Sequence, residues 1–126
     1  FGIHNDVVIL GFLSNEELRH FYAACEVFVF PSFYEGFGFP ILEAFNCGAA
    51  VITSNVSSCP ELAGTAALTI DPNDIQQMKD SIITVLNDLE LRENLKARGL
   101  KRAGEFSFQR TAEETLKVYE EVYNGC

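Results

Sequence analysis

The chain has 126 residues, 48% hydrophobic and 21% charged, which describes one ordinary globular domain and excludes a disordered or fibrous protein. Its formal net charge of −9 argues against nucleic acid and anionic membrane as partners. One domain of this length is short for an enzyme that closes around two substrates.

No apolar run approaches the length of a membrane span; the longest, Val7 to Leu13, is broken at Gly11. The start has neither a basic region nor a long apolar stretch, so no signal peptide is expected. It opens on Phe1 rather than Met, which reads as a start inside a larger protein. Cys25, Cys47, Cys59 and Cys126 form no CxxC pair and no Cys/His set of zinc spacing. Free thiols on apolar helical faces are expected, hence a reduced cytoplasmic protein, or one peripheral to a membrane in its full-length form.

In chain order, Val7-Val8-Ile9-Leu10 has the continuous apolar character of a buried parallel strand. Ser14 then caps a helix, with Glu17 completing a capping box and Leu13 and Leu18 spaced as a hydrophobic staple. Leu18, Phe21, Tyr22 and Cys25 recur on one face of it. Glu26 to Phe30 reads as a second strand. A turn over 31–38 leads to a helix from Phe39 to Cys47, closed by Gly48. Ala49 to Thr53 and Ala66 to Ile70 read as two more strands, joined by a polar loop with a short helical turn around Pro60-Glu61-Leu62.

From Asp74 the pattern is helical only. Ile75, Met78, Ile82, Val85, Leu86 and Leu89 mark one helix, and Leu91, Leu95 and Leu100 another. Ser107 caps a last helix whose inner side is expected to carry Phe108, Ala112, Thr115, Leu116, Tyr119, Val122 and Tyr123. Strands alternating with helices predict an α/β fold, a partial Rossmann-like parallel sheet with C-terminal helices, spanning 1–126 as a single domain.

Ligands of parallel α/β sheets bind where strands turn into helices at their carboxyl ends. The turn after Phe30 is the candidate, in the run PSFYEGFGFPILEAFNCG. Gly36 and Gly38 can adopt positive φ and let a ligand approach the backbone closely. Pro40 suits the start of the following helix, whose free amides favour an anion. Helical side chains lean toward the N-terminus, so Glu43 points back to the mouth of the turn and can accept from vicinal hydroxyls such as those of a ribose. Glu35, in the loop, is placed to meet a second polyol. Before Lys79 the only Lys or Arg is Arg19, so a phosphate here depends on backbone amides or on cations from outside the chain.

The stretch PSFYEGFGFPILEAFNCGAAVITSN resembles the donor-binding signature of the retaining glycosyltransferases of family 4, which have the GT-B fold. Their E-x7-E pattern is matched by Glu35 and Glu43. The resemblance extends to Val8-Ile9-Leu10-Gly11-Phe12-Leu13-Ser14, Pro60-Glu61-Leu62-Ala63-Gly64, Ile70-Asp71-Pro72, Arg102-Ala103 and Phe106-Ser107, with Phe108 where a tryptophan is usual. It implies that Glu43 holds the nucleotide ribose and that the Gly36-Phe37-Gly38 backbone meets donor phosphate and sugar. It also implies that Glu35 contacts sugar hydroxyls and supports an oxocarbenium-like transition state. Such enzymes move a sugar from a nucleotide-sugar to an acceptor, usually without a metal, and no Asp-x-Asp occurs here. No cofactor is implied beyond the nucleotide-diphosphate sugar itself.

Family members also carry an N-terminal acceptor domain and leading strands with Arg and Lys for the diphosphate, which this chain lacks; alone it is expected to transfer sugar poorly. The acceptor is not legible. A rival reading is a non-catalytic nucleotide- or sugar-binding or assembly module. A receiver-like signalling domain needs an acidic residue at a strand end, whereas Leu10, Phe30 and Thr53 end these strands. Exposed apolar surface left by the missing strands predicts a homo-oligomer. Asn55-Val56-Ser57 is read as a chance glycosylation tripeptide, His4 and His20 as surface residues, and Glu61 as either a helix cap or a residue facing the donor. The Phe-rich run 28–39 is read as core and turn packing.

Overall fold

A computed structural model describes residues 2–125. Helix α1 (Asn15–Ala24) is followed by strand β1 (Phe28–Phe30), helix α2 (Phe39–Asn46), strand β2 (Val51–Ser54), helix α3 (Cys59–Ala63) and strand β3 (Leu68–Ile70). Three helices close the chain: α4 (Ile75–Asn87), α5 (Leu89–Ala103) and α6 (Phe108–Asn124). The strands form one parallel sheet in the order β1-β2-β3, with Val29 opposite Ile52 and Thr53 opposite Thr69. The α/β architecture expected from the sequence is therefore present, with three strands rather than four.

The missing strand is Val7–Leu10. These residues are irregular and exposed, Ile9 at 92%. A strand needs a neighbour to take its backbone hydrogen bonds, and among the described residues none pairs with this segment; apolar composition alone does not supply one.

The helix boundaries follow from local chemistry. Ser14 accepts from the Glu17 amide at 3.3 Å while its own amide donates to the Glu17 carboxylate at 2.9 Å, the reciprocal cap that the sequence predicts. The Ser14 hydroxyl also donates to that carboxylate at 2.7 Å, and this bond first, then the Ser14 amide's, holds the Glu17 carboxyl below its ordinary value. Asp74, Asp88 and Ser107 cap α4, α5 and α6 through the amides of Gln77, Leu91 and Arg110. At the end of α2, Gly48 has φ +74 and donates to Phe45 O at 3.0 Å, and Ala49 donates to Ala44 O at 3.0 Å. This paired left-handed ending turns the chain straight into the approach to β2.

The central strand β2 is buried throughout, and its side chains alternate between two cores. Val51 packs with Tyr22, Ile41, Phe45, Leu62 and Ala103 on one face. Ile52 packs with Ile70, Val85 and Leu95 on the other. Helix α5 lies against α2, where Gly99 faces the ring of Phe45. On α1, Leu18, Tyr22 and Cys25 turn inward as expected, but Phe21 is half exposed. Cys25, Cys47 and Cys59 are unpaired thiols, and burial pushes the Cys25 thiol up; Cys126 lies outside the described residues.

The last helix departs most from expectation. Every residue of α6 is exposed, including Leu116, Tyr119, Val122 and Tyr123 of the face expected to turn inward. Its amphipathic pattern is real, yet α6 leaves the body of the protein after Phe106, and nothing among the described residues covers it. No helix among those residues is long and apolar enough to cross a membrane.

Candidate functional site

In a parallel sheet all strand ends of one kind share an edge, so the turn after β1 and the loop after β2 meet. The serines of the second loop hold the carbonyls of the first. Ser54 Oγ donates to Ser32 O at 2.5 Å. Ser57 Oγ donates to Glu35 O at 2.8 Å and accepts from the Glu35 amide at 3.1 Å. Ser58 Oγ lies 3.0 Å from both Glu35 O and Phe37 O. Thr53 Oγ1 adds a bond to Phe30 O at 3.0 Å. Ser57 adopts φ +58, a left-handed conformation rare outside glycine, to reach both backbone groups of Glu35. Its side chain is thus engaged with the turn.

Sequence reasoning missed these serines because a hydroxyl 22 residues away leaves no periodic trace. The one available signal was the cluster Ser54-Asn55-Val56-Ser57-Ser58 directly after a strand.

The glycines differ. Gly38 has φ +99 and forms the N-cap of α2, where an added Cβ would stand 3.3 Å from Ile41 Cδ1 and from Leu62 Cδ2. Gly36 does not use the positive φ open to it, and a Cβ there would meet nothing within 4 Å. Pro40 occupies the first turn of α2, where its missing N–H costs no intrahelical bond.

Glu35 is half-buried, and Ser32 Oγ donates to its Oε1 at 2.9 Å. Glu43, in the second turn of α2, is exposed, and the Tyr22 hydroxyl donates to its Oε2 at 3.3 Å. Each carboxylate is thus bonded by a hydroxyl, Glu35 in the turn before α2 and Glu43 within the helix. The Tyr22 hydroxyl is pushed up to about 12, first by burial and then by the nearby Glu43 charge, so it stays a donor.

Phe28 and Phe30 join the core, while Phe33 and Tyr34 point outward at 66% and 82% exposure, correcting the packing expected for that part of the run. Phe37 packs against Phe39 with ring centroids 4.9 Å apart and planes tilted by 51°, and meets Phe106 edge-on at 6.1 Å. Beside it a 230 Å³ cavity is lined by Gly36, Phe37, Ser58, Glu61 and Arg102, so Glu61 faces the turn. Arg102 was legible in the sequence only as part of the matching Arg102-Ala103 pair; its contacts, made from the far end of α5, were not. It donates to Leu62 O at 3.0 Å and Glu61 O at 2.7 Å, pairs with Glu105, and lies 4.8 Å from the Phe106 ring centroid. That guanidinium is committed to protein acceptors and ties α3 to the end of α5.

His4 and His20 are exposed, as expected. Among the described residues no group of His, Cys, Asp and Glu is placed to hold a metal ion.

The chain is similar to known proteins along most of its length. The chain is 47% identical over 110 residues to O-antigen chain mannosyltransferase B of Escherichia coli, covering 87% of this chain and 29% of that protein. It is 34% identical over 125 residues to MMP alpha-(1->4)-mannosyltransferase of Mycolicibacterium hassiacum, covering 96% of this chain and 30% of that one. The chain therefore spans about three tenths of these relatives. In structure it matches sucrose-phosphate synthase from Thermosynechococcus elongatus with a TM-score of 0.86 and 27% identity, over 98% of this chain and 32% of that one. Residues 1–102 match the family model described as glycosyl transferases group 1, and the chain belongs to that family.

Proposed function

We propose that this chain is the donor-binding part of a retaining glycosyltransferase that moves a sugar from a nucleoside-diphosphate sugar to an acceptor. The observation that carries the reading is the pair Glu35 and Glu43, held by separate hydroxyls on either side of one glycine turn at the start of α2. A diphosphate between them would lie at the helix N-terminus, where unbonded amides and the helix dipole favour negative charge. Glu43 would accept from the ribose hydroxyls, and the backbone of Gly36, Phe37 and Gly38 would meet the phosphates and the sugar. Gly36 suits this role because its Cβ side is open.

In the transfer step the bond from the anomeric carbon to the diphosphate oxygen breaks, a bond from the acceptor oxygen forms on the same face, and the acceptor hydroxyl's proton passes to the departing diphosphate. Positive charge develops on the sugar ring in between. The Glu35 carboxylate contacts the sugar hydroxyls and supports that charge, a fixed anion being most effective where water is excluded. The names of the relatives favour a mannosyl donor. The acceptor and its binding domain belong to parts of the protein beyond this chain.

Calorimetric titration with a panel of nucleoside-diphosphate sugars, mannosyl donors included, tests the reading. Binding is expected, and Glu43→Ala is expected to weaken it about tenfold or more, the worth of hydrogen bonds to a charged group. Affinity unchanged in Glu43→Ala refutes the ribose assignment.

A further inference from the structure

The ring of Tyr22 is 5% exposed and stands edge-on to Phe28, with centroids 5.0 Å apart at 88°. A tyrosine so enclosed requires a partner for its hydroxyl, and that partner is a carboxylate on a different helix, Glu43 Oε2. Glu43 is exposed, and among the described residues Tyr22 is the one side chain that hydrogen-bonds to it. A groove of about 980 Å³ between α1 and α2 runs along this contact, with Arg19, His20 and Asn46 on its walls.

We propose that Tyr22 is a positioning residue: its packed hydroxyl holds one oxygen of Glu43 so that the carboxylate presents its other oxygen to a vicinal diol. The inference rests on the reading of Glu43 as the ribose carboxylate. An exposed glutamate turns about three side-chain bonds and would sweep a wide arc. The phenol, itself fixed against Phe28, removes that freedom before a ligand arrives, so less ordering is left to binding. One Oε2 lone pair goes to Tyr22, and the remaining acceptor capacity of the carboxylate suffices for two ribose hydroxyls.

Calorimetric titration of the protein with ADP, GDP and UDP, each beside its 2′,3′-dideoxy form, separates the roles. The wild-type chain is expected to prefer an intact diol by about tenfold or more, in line with bonds to a charged acceptor. Tyr22→Phe keeps the ring and the Phe28 contact; it is expected to cut that preference about three- to tenfold while leaving the dideoxy affinity and the unfolding midpoint unchanged. Glu43→Gln is expected to remove most of it. Full preference in Tyr22→Phe, with the loss seen in Glu43→Gln, overturns the positioning role and leaves the ribose reading intact. A uniform loss toward both nucleotide forms marks a merely structural tyrosine and also overturns it. No diol preference in the wild-type chain sinks the ribose reading and the inference together.

Discussion

Two glycines two positions apart in one turn carry different loads. Gly38 is held by conformation, and Gly38→Ala forces a side chain into φ +99 against Ile41 and Leu62. That change is expected to cost about 1–3 kcal/mol of stability, measured by denaturant unfolding. Gly36→Ala meets no neighbour; it is expected to leave unfolding within about 0.5 kcal/mol of the wild type while weakening donor binding. Equal destabilisation by both changes would show that the turn is uniformly strained. At Tyr22 the hydroxyl is raised from its ordinary value near 10 to about 12. A group raised on folding stabilises fully below its unfolded value, and that stability is lost as pH rises through the folded one. Unfolding measured between pH 9 and 12 is expected to show this alkaline loss in the wild type and a smaller one in Tyr22→Phe.

At the scale of elements, α2, which follows the glycine turn, is held by its packing on α5. Gly99 sits inside α5, where alanine is ordinarily better by about 1 kcal/mol. A Cβ there would lie 2.6 Å from Phe45 Cδ1, and Phe45 is fully buried with no room to give. Overpacking of that kind costs about 1–3 kcal/mol, so Gly99→Ala is expected to lower stability in a thermal melt; a raised melting temperature would mean that the helices slide apart freely. What was legible in the sequence follows the range of the interaction. The Ser14–Glu17 cap, the left-handed Gly48 and the helix after the glycine turn depend on residues within five positions, and all are present. The serine clamp on Glu35 and the Arg102 bridge join residues 22 to 41 apart, which no local spacing encodes. Val7–Leu10 failed for the converse reason, since its pattern is right but its partner is absent among the described residues.

At the scale of the whole molecule, two apolar surfaces stand open. One is the segment with Val8, Ile9 and Phe12; the other is α6, with Leu116, Tyr119, Val122 and Tyr123. Surfaces of this kind pair readily, and a second copy of the chain offers the same faces in return. Sedimentation velocity is expected to show self-association that rises with concentration and weakens in Tyr119→Glu/Val122→Glu; a monomer at high concentration contradicts this. The proposed donor site would lie at the carboxyl edge of the sheet, where the turn after β1 meets the loop after β2. Amide NMR spectra of the chain during titration with a nucleoside-diphosphate sugar test that placement most directly. The expected result is saturable shifts concentrated in residues 35–43 of the wild type, most of them abolished by Glu43→Ala. Shifts confined to other elements, or the same shifts in Glu43→Ala, would contradict a donor site between the two glutamates.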